Sequence, residues 1–148
     1  MQSFNLSCIV TSPKYLRKGF GYFLIDFSYL ISLTEGRIGA PEKPFSALGA
    51  ITYMGYWRTK ILEYLYKSSE TDSETSLKNI SMATAIDQED ILHTLESLGI
   101  MNAEDGSENF TVNINRELIN KKNKITAKKE NFIMKKCTLH QELANLKK

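Results

Sequence analysis

The chain has 148 residues, enough for one ordinary domain or one small domain with an appendage. Hydrophobic residues make up 42% and charged residues 24%, the balance of a globular chain and not of a disordered one. Residues 1–117 carry 10 Lys/Arg against 15 Asp/Glu, whereas residues 118–148 carry nine lysines against two glutamates, so a basic tail follows an acidic body. No apolar run approaches the roughly 18–20 residues a membrane-spanning helix requires. Met1 to Asn5 also lacks the basic stretch and apolar run of a secretory signal, so no membrane partner is expected. Two cysteines, Cys8 and Cys137, do not make a disulfide framework, which suits a reducing compartment. Of the cysteines and histidines only Cys137 and His140 stand at a ligand-like spacing, and two ligands do not close a structural metal site, so no metal is expected.

In chain order, Leu6–Thr11 is apolar and β-branched and ends at Pro13, which predicts a strand, one that needs neighbours on a sheet. Lys14 to Gly21 reads as a basic, glycine-containing turn. From Gly21 to about Leu33 a helix is predicted, with Phe20, Phe23, Leu24, Phe27, Leu30 and Ile31 as its apolar face. Residues 34–49 hold three glycines and two prolines and read as a long functional loop. A second helix is predicted over about 50–67, with a buried stripe of Ile51, Met54, Trp57, Ile61, Leu62 and Leu65. The polar, acidic stretch 68–76 reads as a linker. Beyond it come a short helix at 77–83 and a second one capped by Asp87, with Asp90 in the capping-box place, Ile91, Leu92, Leu95 and Leu98 on its face and Gly99 at its end. Asp105-Gly106 between Ile100-Met101 and Phe110–Ile114 predicts a hairpin. Two helices followed by a hairpin have the outline of a winged helix-turn-helix. The organisation expected is a core portion at 1–67, a C-terminal unit at 77–118 and a basic tail at 119–148.

The most informative local feature is a strand, then Arg17-Lys18-Gly19-Phe20-Gly21, then a helix. Glycines let the backbone turn tightly and approach a ligand. The first amides of a helix have no intrahelical partners, and the helix dipole adds positive potential there. With Arg17 and Lys18 beside them, a pyrophosphate is the natural ligand of such a place. By itself the segment is equally an ordinary β-to-α turn. It is not a Walker loop, since no Gly-Lys-Ser/Thr follows, nor a dinucleotide fingerprint, since the third glycine is missing.

Longer stretches are more specific. Asn5-Leu-Ser-Cys8-Ile-Val-Thr-Ser-Pro13-Lys-Tyr15-Leu-Arg17-Lys18-Gly19-Phe-Gly21, then Phe23–Leu30, then Gly39-Ala-Pro41-Glu42-Lys43-Pro44-Phe-Ser46, closely resemble the core of MYST-family lysine acetyltransferases. So does Tyr53-Met-Gly-Tyr56-Trp57, and Asp90-Ile-Leu-His-Thr-Leu95 resembles a later segment. The likeness covers about residues 4–120, in order and register.

The resemblance implies an α+β (mixed α/β) fold, an acetyltransferase-like core fragment followed by a winged-helix-like C-terminal subdomain. It implies acetyl-CoA as co-substrate and a histone lysine as acceptor. The turn formed by Arg17, Lys18, Gly19, Phe20, Gly21 and Tyr22 would hold the pyrophosphate through backbone amides. Ile9 and Thr11 would lie along the acyl and pantetheine arm, with Ser46 and Gly55 also lining the site. Glu42 would be the general base and Cys8 the cysteine facing the acetyl group, either as a covalent acyl carrier or as a packing residue. The family also implies histone tails and chromatin-complex subunits as partners and the nucleus as location. The chemistry is coherent: a lysine ammonium, with a reference pKa of about 10.4, must lose a proton before it attacks a thioester, and a carboxylate near a closed pocket, helped by burial, can take it.

Departures from the family pattern are local. Leu16 stands where a glutamine is usual, Ala40 where a serine is usual, and Ala47 where an aspartate is usual, and little of the family's ending is legible after residue 120. The family's zinc module, further strands and acetylated lysine lie upstream of the matched stretch, so the chain is expected to be a fragment, a truncated isoform or a degenerate copy. The alternative function is therefore a catalytically impaired relative that binds chromatin or a partner. A nucleic-acid binder using the tail at 121–136 ranks third. Asp87, Glu89, Asp90 and Glu96 crowd the helix that would read DNA and would repel phosphate, which argues against direct DNA binding.

Overall fold

The computed structural model describes residues 4–70, 75–103 and 110–112. β1 (Phe4–Leu6) leads through an extended segment and one tight helical turn, Pro13–Tyr15, into α1 (Phe20–Thr34). β2 (Ala40–Pro41) pairs in parallel with β1, Phe4 opposite Ala40 and Leu6 opposite Pro41. α2 (Ala47–Glu70), α3 (Leu77–Thr84) and α4 (Gln88–Leu98) follow, and β3 (Met101–Ala103) pairs antiparallel with β4 (Phe110–Val112), Met101 opposite Val112. The described residues thus form a mixed α/β arrangement, mostly helical, with two two-stranded sheets. None of their helices is long and apolar enough to cross a membrane.

Local chemistry sets most of these boundaries. Ser46 starts α2, its hydroxyl accepting from the Gly49 amide at 3.1 Å. Ser76 does the same for α3 through Asn79, and Asp87 for α4 through Glu89 at 2.9 Å. Gly99 ends α4 at φ 64°, its amide donating to the Glu96 carbonyl.

The core lies where α1, α3 and α4 meet α2. Tyr29, Tyr56, Trp57, Ile61, Leu65, Ile80, Ile86, Ile91 and Leu95 are each at most 2% exposed. Each such side chain contributes about 2–3 kcal/mol by leaving water, as an upper estimate. Tyr29 stacks on Tyr56 at 5.1 Å between ring centres, and its hydroxyl accepts from the Trp57 indole N–H at 2.8 Å. Burial pushes the phenols of Tyr29 and Tyr56 far up, so both stay protonated donors.

The segment 39–41 is held on two sides. On one it pairs with β1. On the other the Gly39 amide donates to the Ala85 carbonyl at 2.9 Å, and Gly39 bridges Ile86 in parallel. A Cβ at Gly39 would lie 2.6 Å from Ser32 Oγ and 2.8 Å from Asn5 Nδ2, so only glycine allows this approach.

The sequence-based expectations change in five places. The strand expected at Leu6–Thr11 is found at Phe4–Leu6, and residues 8–12 have no ladder partner among the described residues, because β2 is only two residues long. The apolar face expected for α1 is not its buried face. Ile25, Ser28, Tyr29 and Ser32 turn inward, while Phe20, Leu24 and Ile31 stay about 40% exposed. The helix is apolar around most of its surface, and small serines win the inner side because Asn5 bonds Ser28 and Gly39 packs on Ser32. Ile51 of the expected α2 stripe is 71% exposed, and Tyr53 and Tyr56 join the buried set instead. Asp90 does not close a capping box: it is 3% exposed and turns to Lys43. α2 runs to Glu70, into the stretch read as a linker, of which residues 71–74 lie outside the described residues. The Asp105-Gly106 turn and everything after Val112, the basic tail and Cys137 to His140 included, also lie outside them.

Candidate active site

Two groups of sequence-predicted residues converge on α2 from different directions. The first is the turn before α1. Arg17 (φ 57°) and Gly19 (φ 87°) both take left-handed backbone, the first at a cost for a residue with a side chain, the second without one. Gly19 is the N-cap of α1 and makes no side-chain cap bond to the opening turn of the helix. Lys18 Nζ sits 5.2 Å from the centre of the Tyr15 ring, and Phe20 meets the same ring edge-on at 5.6 Å. Tyr15 therefore organises the turn, a role that its position in the sequence did not reveal. Arg17, Lys18 and Phe20 are exposed, and Gly19 and Gly21 half-buried.

α2 backs this turn. A side chain on Gly21 would touch the Thr52 methyl group at 4.0 Å, and half-buried Tyr22 meets Tyr56 edge-on at 5.4 Å. Further along, Lys60 Nζ reaches Asp26 at 3.2 Å. Tyr22 and Tyr29 of α1 both meet Tyr56, so the two helices cross at Tyr56, with Gly21 of the glycine turn facing Thr52. Gly55 lies beside Tyr56 on α2, and a Cβ built on it meets nothing within 4 Å, which leaves a bare helix surface at that point.

The second group is carried by the parallel ladder. The Glu42 amide donates to the Leu6 carbonyl at 3.1 Å, which places Glu42 beside the stretch that runs on to Cys8. Cys8 is exposed, while Ile9 is half-buried against the core and Thr11 half-buried. Glu42 itself is exposed, not enclosed as a base in a closed pocket would be, because the loop continues past the last rung of a two-residue strand. The Lys43–Pro44 bond is cis. Phe45 then stacks on Tyr53 at 5.2 Å and meets Trp57 at 6.1 Å, and Ser46 caps α2. α2 is thus what joins the turn at Arg17–Tyr22 to the loop of Glu42 and Ser46.

One ionic contact was not foreseen. Lys43 Nζ lies 2.8 Å from Asp90 Oδ1. The bond to Asp90 holds the Lys43 ammonium above its usual range. Burial pushes the Asp90 carboxyl up, and the pair with Lys43 works against that shift. Tyr53, nearby, is pushed up to about 12 by burial and by the Asp90 charge. Among the described residues no group of three or more His, Cys, Asp or Glu side chains is placed to hold a metal ion.

The sequence matches the MOZ/SAS family over residues 1–139. The chain belongs to that family. It is 50% identical over 105 residues, 71% of its length, to histone acetyltransferase KAT6B of Mus musculus. It is 50% identical over 100 residues, 68% of its length, to histone acetyltransferase KAT6A of Homo sapiens. To histone acetyltransferase of the MYST family 2 of Arabidopsis thaliana it is 49% identical over 100 residues. The chain spans only 6%, 5% and 22% of these three MOZ/SAS relatives. The sequence-based recognition of a MYST acetyltransferase segment agrees with this membership.

Proposed function

We propose that the chain is the part of a lysine acetyltransferase that binds acetyl-CoA and positions the base for transfer to a histone lysine. The observation that carries this reading is the β1–β2 register: it sets the Glu42 amide on Leu6, beside the stretch leading to Cys8, while the same loop runs into the helix that backs the glycine turn. Family membership and relatives named as histone acetyltransferases support the reaction class.

The opening amides of α1 fit a diphosphate, because the N-cap contributes no competing side chain, the backbone turns left-handed at Gly19, and Arg17 and Lys18 add positive charge. Acetyl-CoA supplies the acetyl group as a thioester. Glu42 accepts a proton from the substrate ammonium, which frees the nitrogen lone pair for attack on the thioester carbonyl. The new C–N bond forms as the C–S bond breaks, and the departing thiolate takes up a proton, leaving acetyl-lysine and coenzyme A. Ile9 and Thr11 line the acyl and pantetheine arm, and Ser46 and Gly55 the wall formed by α2. Cys8 faces the acetyl group. The unit of α3, α4 and the β3–β4 pair acts as a winged-helix-like support packed on the core, and the working location is the nucleus, on histone tails within a chromatin complex.

The test is acetyl transfer to histone peptides by the wild type and by Glu42→Gln, with acetyl-CoA binding measured separately. The expected result is a loss of about a hundredfold or more in kcat with acetyl-CoA binding retained. Transfer that survives the substitution removes Glu42 as base. Binding without any transfer by the wild type favours a partner-binding role instead.

A further inference from the structure

Asp90 is a carboxylate in the wrong place for stability. It lies on the buried side of α4 with Ile91, Thr94 and Leu95, and it is 3% exposed. A buried carboxylate is costly unless its charge is met. Oδ1 is met by Lys43, but Oδ2 is buried with no hydrogen-bond partner among the described residues. The other charged or titratable groups that act on it, Asp87 at the α4 cap, Glu89 on α4, Tyr53 on α2 and Tyr29 on α1, bring no positive charge. Lys43 stands in the opposite position. Its side chain is 51% exposed, so water could solvate it equally well. The attraction is therefore demanded by Asp90, and Lys43 is the end that is held.

What is held matters because Lys43 is the neighbour of Glu42. On one side the Glu42 amide is bonded to Leu6. On the other, the adjoining residue is tied by its side chain to α4, 47 residues away in the chain. Between these two tethers the Glu42 carboxylate is exposed. We infer that the Lys43–Asp90 ion pair is a positioning device, through which α4 fixes the backbone of the loop that presents Glu42. The inference rests on Glu42 as the base, and it gives α4 a part in catalysis through geometry alone.

The experiment uses the full chain with Lys43→Met, Lys43→Arg and Asp90→Asn, and Glu42→Gln as control. Amide hydrogen exchange of Glu42 is read beside that of α1 and α2 amides, and kcat and the KM for acetyl-CoA are read from transfer to a histone peptide. Lys43→Met is expected to speed Glu42 exchange about tenfold, the loss of one charge-assisted bond partly screened by water. Exchange in α1 and α2 reports the general loss of stability that the unmet Asp90 carboxylate brings, and the Glu42 acceleration should exceed theirs. kcat should fall about tenfold or more with KM little changed, as for a misplaced base, and Lys43→Arg should restore both. Lys43→Met with unchanged Glu42 exchange overturns the proposal, as does loosened exchange with undiminished kcat. The half-exposed Lys43 keeps the test valid if Asp90→Asn fails to fold. If Glu42→Gln transfers normally, the base assignment fails, while the exchange data still decide whether the tether exists.

Discussion

The packed side of the molecule and its open side follow different rules. On the packed side, Tyr29, Trp57, Ile61 and Leu95 are sealed against one another, and each position is fixed by its neighbours. On the open side, Cys8, Arg17, Lys18, Glu42 and Ser46 are all exposed, and their places are set by backbone devices: left-handed residues, a helix cap and a two-rung ladder. On the proposed reading, stability and chemistry lie on different sides of this chain. Substitutions on the first side should move the melting point, and those on the second should move binding and transfer.

The largest stability effect is expected from Ile61→Ala. Ile61 is 0% exposed, and the cavity should cost about 3–4 kcal/mol in urea unfolding. A cost below about 1 kcal/mol would mean that the helices are not packed as described. Gly39→Ala tests the junction of the two sides, because the added methyl would meet Ser32 and Asn5 below 3.0 Å. It should cost about 1–3 kcal/mol and loosen the loop of Glu42, seen as faster exchange of the Glu42 amide. An unchanged protein would show that the ladder is not tight.

Gly19→Ala should cost about 1–2 kcal/mol from strain at φ 87°, and it should weaken acetyl-CoA binding in calorimetry by more than its effect on stability. Equal binding by the variant would separate the turn from the diphosphate. The smallest effect sharpens the comparison most. Gly55→Ala places a methyl where nothing lies within 4 Å, inside a helix, so stability should rise by about 0.5–1 kcal/mol. On the proposed reading acetyl-CoA affinity falls in the same variant. If stability rises and affinity holds, Gly55 is helix surface and no part of the site.

Periodicity, caps and turn residues determined much of this protein unaided. The helix at Phe20–Thr34, the capping by Asp87, the end at Gly99 and the β3–β4 pair lie where local physics puts them, because each depends on residues a few positions apart. The glycine turn was legible in the same way as a candidate anion site, whereas Glu42 was singled out by the family resemblance and not by spacing or period. What only the tertiary structure decided was which side of each element faces inward and which distant residues meet. α1 is apolar on more than one side, so its spacing could not say that Ser28 and Ser32 would turn in while Leu24 and Ile31 stayed out. That choice belongs to Asn5 and Gly39. Asp90 likewise reads as a capping acid in the sequence and becomes a buried counter-charge in the fold, because Lys43 reaches it from 47 residues away. A one-dimensional pattern carries propensity and period. Burial and charge pairing are properties of the packed whole.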